Sequence, residues 1–115
     1  ERLVVGGGAY WVEKDDLYVL REHIASQPER FNQLLADPNF SGRYGALQGA
    51  RNVRIPKEFR EAAEVCPHIL NKQFFYMAEL PVEQVVSSAL MDTVMEHFDA
   101  AAEVRQFLRA GLQAG

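Results

Sequence analysis

The sequence predicts an α+β fold: a small mixed or antiparallel sheet packed against several helices, with a long C-terminal helix. Three observations carry that reading. Two apolar, β-prone runs, Leu3 to Val12 and Lys72 to Leu80, stand far apart in the chain. Between them, helical periodicity restarts at successive prolines. In the last third, Leu90, Val94, Phe98, Ala101, Val104, Leu108 and Leu112 recur at three- and four-residue steps. Such a stripe needs a second layer to bury it.

The first run, Leu3 to Val12, is interrupted by Gly6, Gly7 and Gly8, and two residues precede it. A strand needs partners for its backbone groups. Either later segments of the chain supply them, or the chain is the back part of something larger. Asp15 or Asp16 then caps a helix running to about Gln27, with Leu17, Leu20 and Ile24 buried and Arg21 and Glu22 turned outward. Pro28 suits the first position of a second helix and Glu29 favours its amino end, placing Phe31, Leu34 and Leu35 toward the core. Asp37-Pro38 repeats the signal for a short helical turn over Phe40 to Tyr44, kept short by Gly42 and Gly45.

Arg51 to Ile55, bracketed by Gly49 and Pro56, fits a short strand, because the residue before a proline favours extended geometry. Lys57 to Val65 reads as a helical turn or two, stopped before Pro67. The second long run carries Phe74, Phe75, Tyr76 and Met77 without polar alternation, which predicts a strand covered on both faces. Lys72, entering it, is expected to be partly shielded with its stem on apolar surface. Past Pro81, a short turn over Val82 to Val86 precedes the last helix, capped by Ser87 or Ser88.

With 115 residues the chain is read as one domain, 1–115, large enough for a modest core. A net charge of -4 argues against a dedicated nucleic-acid binder. The single cysteine, Cys66, excludes an intramolecular disulfide and is read as a reduced, intracellular residue, with the cytoplasm as the expected compartment. Charged or polar residues break every apolar run before membrane-spanning length. No secretory leader is recognisable at the amino end.

Several motifs invite chemistry and yield to plainer readings. Gly6-Gly7-Gly8 has neither the spacing nor the following Lys-Ser/Thr of a phosphate loop, so a bend or close backbone packing in a strand is preferred. Cys66-Pro67-His68 lacks the further ligands of a zinc site, and His23 and His97 lie in separate helices, so Cys66 is read as a buried thiol. His97 is read as a partly exposed surface residue without HExxH spacing. Phe74, Phe75 and Tyr76 are read as core, not as a stacking platform. No metal and no cofactor is implied.

The charge pattern is more informative. Arg43, Arg51, Arg54, Lys57 and Arg60 place five cations within eighteen residues, opposed there by Glu58 alone. The plain reading pairs them with Glu58, Glu61 and Glu64 on a solvated face; the sharper one gives Arg51 and Arg54 an anionic ligand or a partner's carboxylates.

Taken in order, Gly6-Gly7-Gly8-Ala9-Tyr10-Trp11, Leu17 to Ile24, Phe40, Leu47, Gly49, Arg54-Ile55-Pro56-Lys57-Glu58-Phe59 and Lys72-Gln73-Phe74 resemble the carboxy-terminal half of the DUF2461 conserved hypothetical family. The resemblance implies an α+β protein about twice this length, whose amino-terminal half is missing here. Arg21 and Ile24 match the family's helix after its glycine-rich strand, and Arg54, Pro56 and Phe59 its basic-x-Pro-x-Gly-Phe stretch. Glu58 stands where that stretch has glycine. The family carries no activity to transfer.

Catalytic residues therefore stay unassigned, and the sequence leaves open whether the chain is an enzyme. The leading reading is a structural or interaction domain, its partner being the missing amino-terminal half or a second copy joined through Leu3 to Val12. The alternative is an anion-binding or hydrolytic module for a phosphorylated or carboxylated small molecule. Arg54 and Lys72 would form its clamp, supported by Arg21 and Arg51, with Tyr10 and Tyr76 as pocket walls.

Overall fold

The computed structural model, described for residues 3–80 and 90–113, is a two-stranded antiparallel sheet set against six α-helices. Strand β1 (Leu3–Ala9) pairs with β2 (Phe74–Leu80), Leu3 opposite Leu80 and Ala9 opposite Phe74. The register runs unbroken through the three glycines, which face Met77, Tyr76 and Phe75. Gly8 has φ +109°, and a Cβ there would collide with the Phe74 carbonyl, so close backbone packing explains the glycine. The strand ends at Ala9, short of the predicted Val12.

Residues of β2 alternate. Phe74, Tyr76, Ala78 and Leu80 are buried, while Met77 and Glu79 are exposed and Phe75 is half-buried. The expectation of cover on both faces is thus corrected: side chains on a strand point to opposite faces in turn, and here one face alone meets the helices. The expected strand over Arg51 to Ile55 is also corrected. In place of a strand there are two isolated bridges, Gln48 with Phe75 of β2 and Arg51 with Asn71 just before it. Between them Gly49 takes φ +147°, with the Gln73 carbonyl where a Cβ would stand, and this kink breaks the ladder.

The helices fall close to their sequence signals. They are α1 (Lys14–Ser26), α2 (Pro28–Ala36), α3 (Pro38–Tyr44) and α4 (Arg60–Val65). Short 3-10 turns, Lys57–Phe59 and Pro67–Leu70, flank α4. Prolines open α2 and α3, and Asp37 caps α3 through the Asn39 N–H at 3.1 Å. The cap of α1 is Glu13, not Asp15 or Asp16, which occupy its first turn. The predicted turn over 82–86 and the Ser87 or Ser88 cap lie outside the described residues.

The long C-terminal helical segment forms in two pieces, α5 (Leu90–Ala100) and α6 (Ala102–Gln113), interrupted at Ala101. Helix α6 packs on α1 and α2, where Val104, Phe107 and Leu108 join Leu20, Ile24 and Phe31 in the core. Phe31 and Phe107 stack at 4.7 Å, and His23 lies 4.4 Å from the Phe107 ring. Phe40, Tyr44 and Tyr76 extend the core beneath the sheet. No helix among the described residues is long and apolar enough to cross a membrane.

Candidate functional site

Two concave surface regions take in three of the residues singled out from sequence, Arg21 and Arg54 in one and Tyr10 in the other. The first is a cleft of about 430 Å³ at the start of α1. Lys14, Asp15, Tyr18 and Arg21 come to it from α1, and Asn52, Arg54 and Ile55 from the loop before Pro56. Arg21 and Arg54 thus share one site, whereas Arg51 and Lys72 are outside its lining.

Arg21 does not turn outward. It is 5% exposed, its Nε donating to the Ile69 carbonyl at 2.8 Å and its Nη2 to the Leu70 and Asn71 carbonyls at 3.2 and 3.1 Å. The guanidinium fastens α1 to the turn that leads into β2, and its burial lowers its pKa without removing its charge. Tyr18 at the rim donates its hydroxyl to Glu58 Oε2 at 2.6 Å. That hydrogen bond holds the carboxyl below its ordinary range and raises the phenol.

The acidic neighbours therefore do not neutralise the basic run as expected. Glu58 is engaged by Tyr18, and the side-chain ion pairs among the described residues join Arg30 to Glu103 and Arg43 to Glu96, at 3.0 and 3.3 Å. Helix geometry accounts for this: Glu61 and Glu64 project from α4 as exposed residues, and neither meets Arg54, Lys57 or Arg60 at bonding distance. Arg51 reaches Asn71 Oδ1 at 3.1 Å and approaches His68 Nδ1 at 3.4 Å. Lys72 is exposed, correcting its expected shielding, because it precedes the strand on the open side.

Cys66 is fully buried, and that burial pushes its thiol up, away from thiolate chemistry. Burial, then Arg51, pushes the His68 imidazole down. His97 is half-buried, with Nδ1 2.8 Å from the Thr93 carbonyl. Among the described residues no three His, Cys, Asp or Glu side chains gather as a metal site.

The second region lies where β1 leaves the sheet. A groove of about 720 Å³ runs between Gly8 to Trp11 and the face of α6 carrying Arg105, Leu108, Arg109 and Leu112. Tyr10 forms part of its wall; Tyr76 is buried in the core instead, beside Phe40 and Tyr44. Trp11 is 89% exposed and meets the Tyr10 ring edge-on at 5.1 Å, and Tyr10 in turn lies 5.1 Å from Phe75 on the open face of the sheet.

Helix α5 continues this apolar surface. Met91, Met95 and Phe98, spaced four and three residues apart, form a stripe exposed at 69%, 48% and 52%. Phe98 was expected on the buried stripe; the break at Ala101 separates its face from that of Val104 and Leu108. Arg105 joins stripe to groove, its guanidinium 3.8 Å above the Phe98 ring and its Nη1 donating to the Phe98 carbonyl at 3.2 Å. Sequence reading passed over Trp11, Arg105 and Arg109 as site residues. The available signal was Trp11, a large aromatic near the end of the first apolar run, two residues before Glu13 and Lys14.

Comparison with known proteins assigns the chain to a family. The family model described as a conserved hypothetical protein, DUF2461, matches residues 1–107. The chain belongs to DUF2461. The match takes in both strands, the whole cleft and the first half of α6, so the cleft lies within the family's span, whereas Leu108, Arg109 and Leu112 of the groove lie beyond it. No curated protein and no solved structure matches the chain.

Proposed function

We propose that the chain is an interaction domain that pairs with a second copy of itself through the belt formed by the α5 stripe, Arg105 and the Tyr10–Trp11 groove. The carrying observation is the continuity of that belt. Met91, Met95 and Phe98 lead through Arg105 to Tyr10 and Trp11, exposed apolar side chains that adjoin one another instead of standing singly.

A second copy suits this face because it carries complementary parts. Asp92 and Asp99 are exposed on α5 beside the apolar stripe, and Arg109 opens into the groove without an ion pair among the described residues. In a two-fold contact, the acidic flank of one copy's α5 meets the basic groove of the other, twice over. The outer edge of β1, with no strand beside it among the described residues, lies next to the same groove and can extend the pairing.

Sedimentation velocity over a concentration series tests this. A sedimentation coefficient that rises with concentration, and reverts to the monomer value in Phe98→Asp with unchanged circular dichroism, supports the reading. A chain that remains monomeric at every concentration overturns it.

A further inference from the structure

We infer that the cleft between α1 and the loop carrying Arg54 binds the phosphate group of a small organic phosphate monoester. Three features converge there, independently of the apolar belt.

The first is a fixed cation with one nitrogen to spare. Arg21 Nε and Nη2 are held by three backbone carbonyls, whereas Nη1 makes no hydrogen bond among the described residues. Nη1 is also not sealed: the single buried side-chain nitrogen or oxygen without a partner among those residues is His23 Nε2. Arg21 is among the residues that line the cleft, which brings this cation to its wall. A guanidinium held in this way loses little conformational entropy when an anion arrives.

The second feature is the local charge. Lys14 and Arg54 line the same cleft, and neither has a side-chain hydrogen bond or ion pair among the described residues. Three cations line the cleft with one carboxylate, that of Asp15, while a second, Glu58, is engaged by Tyr18 at the rim, in a chain of net charge -4. Three cationic donor groups with a net local surplus of positive charge suit the several acceptor oxygens of a phosphate monoester better than a single carboxylate. Arg54 also lines a neighbouring cleft of about 300 Å³ with Arg60, so its long side chain stands between two openings and can close on either.

The third is shape. Leu17, Ile55 and Pro56 give the cleft an apolar wall, and the Asn52 side chain adds an amide. Its volume lies at the small end of ligand sites, which suits a compact organic group behind the phosphate.

Phenyl phosphate is the probe, with benzoate and phenol as controls, followed by amide resonances in two-dimensional NMR. Saturable shifts at the amides of Lys14 to Tyr18 and Asn52 to Ile55 are expected. Arg54→Ala should weaken binding by roughly tenfold or more, with partial recovery in Arg54→Lys. Arg54 is exposed and makes no structural bond, so these variants retain the fold, and their spectra report it directly. The inference is overturned if phenyl phosphate gives no saturable shift at those amides, if Arg54→Ala binds as tightly as the parent, or if benzoate or phenol binds equally well.

Discussion

Helices α5 and α6 are neighbours in sequence, separated at Ala101, and both are amphipathic, yet they meet opposite fates. Helix α6 places Val104, Phe107, Leu108 and Gly111 against the body of the molecule. Of the residues of α5, Ala100 alone is buried, while Met91, Met95 and Phe98 face outward. Periodicity states that a helix has a face to cover; it does not state what covers it. The stripe of α6 is covered within its own chain, whereas Met91, Met95 and Phe98 of α5 stay exposed.

The sharpest way to break this contrast is to empty the α6 side. Phe107 stacks on Phe31 at 4.7 Å, nearly parallel, and is 7% exposed. Phe107→Ala should cost about 3–5 kcal/mol, because it leaves a cavity between three helices as well as losing apolar burial. Urea unfolding monitored by circular dichroism gives the value. A loss below about 1 kcal/mol would mean that α6 is not the anchored partner.

A smaller effect comes from the same contact. His23 lies between α1 and α6 with Nε2 buried and unpartnered, and burial pushes its imidazole below the ordinary 6.5, against a weaker opposing pull from the Phe107 backbone. Gln27, Arg30 and Glu103 border the adjoining surface. The unfolded imidazole takes up a proton that the folded one resists, so the unfolded state binds more protons and stability falls as pH drops through 6.5. The loss levels off below the folded-state value. His68, lowered in the same direction, adds to this slope. Urea midpoints at about pH 8 and about pH 5 should therefore differ, and His23→Leu should remove part of the difference but not all of it.

The helical half was legible because its punctuation is local. Pro28 and Pro38 open helices in the structure as they do on paper, and Phe31 and Leu34 are buried as spaced, with Leu35 half-buried beside them. Arg21 was misread on its charge alone. It follows Leu17 by four residues and precedes Ile24 by three, which places it on the buried stripe, and three carbonyls from a turn some fifty residues later make that position tenable. Those carbonyls leave no trace near Arg21 in sequence. The same holds for the cleft: Arg54 stands out in its basic run, but its nearness to Arg21 and Lys14 depends on how the kinked segment after Gly49 folds against α1. Arg51, from the same run, and Lys72, beyond it, lie outside that site.

The smallest change in stability is expected on the exposed side, where it is most diagnostic. Met95→Ser removes an apolar side chain that the fold leaves half in solvent, so unfolding of the isolated chain should shift by no more than about 0.5 kcal/mol. Its association should weaken far more than its stability, since the thioether lies in the middle of the α5 stripe. The matching change on α6, at Phe107, should do the reverse. If Met95→Ser instead costs more than about 1.5 kcal/mol in dilute solution, the stripe is covered by its own chain, and the distinction between a helix satisfied at home and one awaiting a partner disappears.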